Sequence, residues 1–151
     1  MFGISISEIK LISLIISKDK VMDIKLKTGL NHIEFWVSDL RKSIKFYNSF
    51  LPLVGWKQIS EVSFTDGNMV IYFQEMKDVE KTRSLGVRHL CFQATEREQV
   101  DQVYNALLNE QAKFIRGPLL MPYSKDYYTI DFFDPDGQVL EVAHTPHANI
   151  S

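Results

Sequence analysis

Apolar and polar residues alternate one by one along His32-Ile33-Glu34-Phe35-Trp36-Val37. A period of two predicts a strand, with Ile33, Phe35 and Val37 on one face and His32, Glu34 and Trp36 on the other. The period then changes. Leu40, Ile44, Tyr47 and Leu51 recur at near-helical spacing, and Ser38 or Asp39 stands where a helix cap is needed. Pro52 and Gly55 stop that helix. Strand patterns follow over 56–60, 61–65 and 69–75, with a turn at Asp66-Gly67. The unit reads strand, helix, strand, strand, strand.

The unit occurs twice. At an offset of 57 residues, without a gap, Gly29 returns as Gly86, His32 as His89, Phe35 as Phe92, Tyr47 as Tyr104, Asn48 as Asn105 and Leu51 as Leu108. The second copy places a strand over 88–94, with His89, Cys91 and Gln93 on its polar face. A helix over 95–111 follows, with Thr95 as its expected cap. Strands over 112–116, 127–133 and 138–144 complete it. Asp134-Pro135-Asp136-Gly137 reads as a turn. Residues 75–84 are polar and charged, as a connector should be. The expected fold is α+β: two tandem βαβββ modules, 29–76 and 86–144, within one domain over 29–145. A sheet with one helix on it leaves its other face bare. Two such modules are expected to form a cupped mixed sheet around a central cleft, and the duplication gives that cleft two similar walls.

Residues 1–28 differ. Ile9, Ile12, Leu14, Ile15 and Ile16 fall roughly at helical spacing after Ser7, which suggests an extra helix packed on the domain or on a second subunit. Lys10 interrupts the apolar stretch and no small-residue cleavage site follows, so it is a poor signal peptide. Residues 146–151 read as a tail. A net charge of −2 argues against nucleic acid as the main partner. The single cysteine allows no internal disulfide and fits a reducing compartment, so a cytoplasmic location is expected. No apolar run reaches the roughly 18 residues of a membrane span. Exposed edges of small curved sheets and the isoleucine-rich segment both suggest a homodimer.

The layout resembles the vicinal oxygen chelate superfamily, also called the glyoxalase/bleomycin resistance/dioxygenase superfamily. The resemblance rests on "LNHIEFWVSDLRKSIKFYNSFLPLVGW", "GVRHLCFQ" and "YYTIDFFDPDGQVLEVAH", and covers residues 29–145. It implies a cupped sheet around a divalent metal held from the first and last strands of the modules. Carried over by position, the ligands are His32, His89 and Glu141. Spacing agrees: the histidines occupy equivalent places, and Glu141 alternates with the apolar Leu140 and Val142. Such a set suits Zn, Ni, Mn, Co or Fe(II), with positions open for a small substrate that chelates through neighbouring oxygens.

One place departs from the pattern. Tyr72 stands opposite Glu141, where glyoxalase I enzymes use a fourth ligand. Glu75 lies an odd number of residues away, so only a bulge would bring it to that face. The resemblance implies a lyase or isomerase. The alternatives are a non-catalytic binding protein of the bleomycin-resistance type, or a thiol transferase or dioxygenase. Glu34 is a candidate base, or a partner for a histidine N–H, or an acid paired with Arg88 or Lys125. Tyr72 is placed beside the metal as a hydrogen-bonding phenol. Trp36, Cys91, Gln93 and Tyr128 are candidate substrate contacts. His144 and His147 are left outside the site.

Overall fold

The computed structural model describes residues 29–79 and 86–147. The expected N-terminal helix, part of the connector and the end of the tail lie outside the described residues. The first module contains β1 (His32–Val37), α1 (Leu40–Phe50), a 3-10 turn (Leu51–Val54), β2 (Lys57–Ser60), β3 (Ser63–Thr65) and β4 (Val70–Glu75). The second contains β5 (His89–Ala94), α2 (Arg97–Asn109), β6 (Lys113–Met121), β7 (Tyr127–Phe133) and β8 (Val139–His144). Each forms a four-stranded mixed sheet, ordered β1-β4-β3-β2 and β5-β8-β7-β6. The first and last strands of each module pair in parallel, so a helix must cross between them.

Asp39 caps α1, accepting the Lys42 backbone N–H at 2.9 Å. Thr95 does not cap α2. The cap residue is Glu96, and the Thr95 hydroxyl and backbone N–H both turn to Gln99 Oε1. Tyr47 and Leu51 are buried as expected, but the rest of the α1 stripe is shifted by one position. Ser43, Phe46, Tyr47 and Phe50 are buried, while Leu40 and Ile44 are only partly so. The shift arises because α1 packs on two modules at once. Phe50 meets Phe92 at 5.7 Å and Phe132 at 5.4 Å between ring centroids, and Trp56 meets Phe92 at 5.6 Å. The two modules therefore share one core through their apolar sides. Each large ring so buried contributes about 1.5–3 kcal/mol.

The turn at 134–137 locks the modules together. Asp134 accepts backbone N–H groups from Asp136 and Gln138, and the Tyr47 hydroxyl donates to it at 3.0 Å. Asp136 accepts from the Ser38 backbone N–H at 3.0 Å. Burial raises the Asp134 pKa from its ordinary value despite these donors. Its contribution to stability is thus greatest below the ordinary carboxylate pKa and is lost as pH rises through the raised value. Asp134→Ala should cost about 2–3 kcal/mol in chemical denaturation, because it leaves buried donors unpaired. Asp134→Asn, which keeps an acceptor without the charge, should cost much less.

The sheets differ in cover. On the first, Trp36 and Tyr72 are 57% and 41% exposed on the polar face. On the second, Glu141 and Ala143 are buried on that face as completely as Leu140 and Val142 are on the other. The longer β6 pairs with β7 at the sheet edge and approaches it closely. At Gly117, with φ +100°, a Cβ would lie 2.5 Å from the Thr129 carbonyl oxygen, so only glycine fits. Among the described residues, no helix is long and apolar enough to cross a membrane.

Candidate metal and substrate site

Strand register places the expected residues on equivalent rungs. Glu34 pairs with Tyr72 on β1/β4, and Cys91 pairs with Glu141 on β5/β8. Tyr72 therefore occupies in the first sheet the position that Glu141 occupies in the second. The β1/β4 register runs unbroken from 70 to 75, so no bulge redirects Glu75. Its carboxylate is engaged elsewhere, accepting the Leu40 backbone N–H at 3.0 Å and pairing with Lys77 at 3.0 Å.

Glu141 is a buried acid of the second sheet's polar face, at 3% exposure. Its Oε1 accepts from the Tyr127 and Thr129 hydroxyls, each at 2.8 Å. Its Oε2 lies 3.0 Å from His89 Nε2. Two hydroxyls fix one oxygen and leave the other facing an imidazole. Adjacent ligands of an octahedral ion with bonds of about 2.1 Å stand about 3.0 Å apart. His89 and Glu141 thus fit a divalent metal as a pair.

His32 is elsewhere. It bonds to Asn31 Oδ1 at 2.8 Å, and its ring meets Tyr72 edge-on at 5.7 Å. Among the described residues, no group of three or more His, Cys, Asp or Glu is arranged to hold a metal ion. One chain therefore brings together two of the three expected ligands, His89 and Glu141.

The His89 tautomer is set by a cation. Arg88 Nη1 lies 2.8 Å from His89 Nδ1. A guanidinium can only donate, so Nδ1 accepts and the proton of the neutral ring sits on Nε2, facing Glu141. Ligation through Nε2 needs the opposite tautomer. Arg88→Ala should therefore raise metal affinity by about three- to tenfold in a competition titration against a chelating dye.

The other expected contacts divide. Glu34 accepts the Trp36 indole N–H at 2.8 Å; it pairs with neither Arg88 nor Lys125 in any contact the structure records. Gln93 donates to the Ala94 carbonyl and accepts from the Thr145 hydroxyl, each at 2.7 Å. With Cys91 it edges a cavity of about 370 Å³ that Leu30, Ile33, Trp56 and Met69 make apolar. The Cys91 thiol is pushed up to about 12, by desolvation first and then by the Glu141 charge, so it stays protonated at neutral pH.

Tyr128 is a correction. Its hydroxyl donates to Asp101 of α2 at 2.8 Å, and Arg97 lies over its ring. It faces the helix. The tyrosine of the polar face is Tyr127, which the sequence reading missed. Alternation with the buried Ile130 and Phe132 would have selected Tyr127, Thr129 and Asp131 instead. Desolvation and the Glu141 hydrogen bond raise the Tyr127 pKa, which keeps it a donor. His144 donates at most a weak hydrogen bond, with Nδ1 3.4 Å from the Ala94 carbonyl oxygen.

The family model of the Glyoxalase/Bleomycin resistance protein/Dioxygenase superfamily matches residues 29–142. The chain belongs to this superfamily. Among similar superfamily proteins, Metallothiol transferase FosB of Shouchella clausii is 31% identical over 121 residues, 78% of this chain and 80% of that protein. Metallothiol transferase FosB of Staphylococcus epidermidis is 33% identical over 123 residues, covering 78% and 82%. Solved structures agree on the fold. A glyoxalase/bleomycin resistance protein from Albidiferax ferrireducens superposes with a TM-score of 0.61 at 22% identity, covering 77% of this chain and 98% of that one. A glyoxalase/dioxygenase from Nostoc punctiforme gives 0.62 at 19% identity, covering 80% and 92%. The fold of this superfamily member thus matches that of its structural neighbours.

Proposed function

We propose that this superfamily member is a divalent-metal-dependent enzyme that transfers a small-molecule thiol to a small oxygen-bearing substrate. His89 and Glu141 of one chain and His32 of a second copy would hold the metal. The observation that carries this reading is the His89–Glu141 pair, 3.0 Å apart, with the remaining carboxylate oxygen fixed by two hydroxyls. Two charged acids on this face, Glu141 and Asp131, have one arginine between them to offset them, so a divalent cation would relieve the excess. The metal would supply Lewis acidity to the substrate oxygens and leave positions open to them. Tyr127 and Thr129 would hold Glu141 in its ligating orientation. Tyr72, which replaces a fourth ligand, would donate its phenol hydrogen bond to a substrate oxygen.

Thiol transfer is favoured over the lyase or isomerase alternative by the two metallothiol transferases above. Cys91 would not be the nucleophile, because its proton is held at neutral pH. The thiol would come from a cosubstrate. A second copy also answers the exposed polar face of the first sheet, where Trp36 and Tyr72 lack cover. The test is metal content after purification without chelator, followed by loss of free thiol from a panel of low-molecular-weight thiols with small electrophiles. Near-stoichiometric metal and metal-dependent thiol consumption are expected. A protein that takes up no divalent metal would instead be a binding protein of the same superfamily.

A further inference from the structure

One rung of the second sheet crosses all four strands. Arg116, Asp131, Glu141 and Cys91 are successive Cα partners from β6 through β7 and β8 to β5. Partners on a rung project to the same side, so these side chains form a row: cation, carboxylate, carboxylate, thiol. Register shifts on both sides of Arg116 bring it onto this rung.

We propose that Asp131 masks Arg116, so that the site discriminates against dianionic ligands and accepts neutral or singly charged oxygen chelators, such as hydroxy-carbonyl groups. The inference rests on the metal cup proposed above and adds its substrate class. Arg116 Nη2 lies 2.7 Å from Asp131 Oδ2, and Nη1 donates to the Tyr123 hydroxyl at 3.2 Å. The Tyr123 ring also lies under the guanidinium, 5.8 Å from centroid to Cζ. Nη1 thus has a hydrogen-bond partner and Nη2 an ion-pair partner, and the positive charge is matched before any ligand arrives. An incoming dianion would meet a compensated arginine and two carboxylates that are 1% and 3% exposed. Repulsion between such groups is large where water is scarce.

The fold does not explain Asp131. It interrupts β7 between Ile130 and Phe132, where strand propensity favours an apolar or β-branched residue. A buried ion pair stabilises a fold little relative to apolar residues of similar volume. This pair is not even optimised as a bridge: both Asp131 oxygens and Arg116 Nε lack an aligned hydrogen bond. A charge kept at such cost, one rung position from Glu141, fits a role in choosing ligands.

The experiment compares Mn(II)-loaded wild type with Asp131→Asn by calorimetric titration at pH 8, using methylphosphonate as the dianion and acetohydroxamate as the singly charged chelator. Wild type should prefer acetohydroxamate. Asp131→Asn should bind methylphosphonate about tenfold or more tighter than wild type, with acetohydroxamate shifted less than about threefold. Adding Arg116→Met should abolish that gain, whereas Arg116→Met alone should change methylphosphonate binding less than about threefold, since the arginine is already masked. Equal methylphosphonate affinity in wild type and Asp131→Asn would overturn the inference, as would equal gains for both probes. A large loss from Arg116→Met alone would overturn it even if Asp131→Asn fails to fold. Electron spin resonance showing no Mn(II) uptake would count against the metal reading only. The methylphosphonate comparison would still decide the masking, because Arg116 can be read without metal.

Discussion

Glu141→Gln should lower divalent-metal affinity by more than about a hundredfold, while the protein stays folded. The substitution keeps the shape of the side chain. The amide oxygen can still accept from the Tyr127 and Thr129 hydroxyls that now hold Oε1. What changes is the atom facing His89, which becomes an uncharged NH2 group in place of the carboxylate oxygen 3.0 Å from Nε2. A hard cation loses both charge and lone pair there. Stability should fall by about 1–3 kcal/mol, because the NH2 group then faces the Nε2–H of His89, which loses its acceptor. Mn(II) titration followed by electron spin resonance reads the affinity, and circular dichroism reads the fold. Tyr72→Phe is the control. It sits on the equivalent rung of the other sheet, and a neutral phenol is a poor ligand with an ordinary pKa of about 10, so metal content should stay within about twofold of wild type. If Tyr72→Phe emptied the site and Glu141→Gln did not, the ligating positions of the two last strands would be exchanged.

The strands and their faces were legible because alternation is a local property. His32, Glu34 and Trp36 are exposed on one side of β1, while Val37 is buried on the other, as a period of two requires. The equivalence of Tyr72 and Glu141 was legible for the same reason, since both modules pair their first and last strands in parallel without a slip. Three features were not legible: two depend on contacts distant in sequence, and one on a competing side chain four residues away. The buried stripe of α1 is turned toward Phe92 and Phe132 of the other module, which no single-helix pattern reveals. Thr95 had an ordinary cap residue's chemistry but was drawn to Gln99, whose side chain competes for its hydroxyl. Arg116 reaches Asp131 only through two irregularities of β6, and bulges leave little trace in composition. Tyr127 is different: alternation with the buried Ile130 and Phe132 places it, and not Tyr128, on the polar face.

Mixing two inactive variants should restore about a quarter of the wild-type metal sites. His32→Ala keeps His89 and Glu141, and Glu141→Ala keeps His32. Each variant alone should hold little metal, since every site in its homodimer lacks one ligand. After co-refolding at equal amounts, half of the dimers should be mixed. In each mixed dimer one site combines His89 and Glu141 of the first variant with His32 of the second, and is complete; the other lacks both. The prediction follows from where one chain leaves its donors. His89 and Glu141 are in contact, but His32 is spent on Asn31 and Tyr72 and belongs to no group of three metal-binding side chains among the described residues. The two modules meet through Phe50, Phe92 and Phe132 on their apolar sides, so closing the polar faces of one chain on each other would require dismantling that core. Recruiting a second chain requires no such rearrangement. Bound metal per dimer, measured after mixing and again after mixing without refolding, separates subunit exchange from contamination. No recovery in the mixed dimers would place all three ligands within one chain or remove His32 from the set.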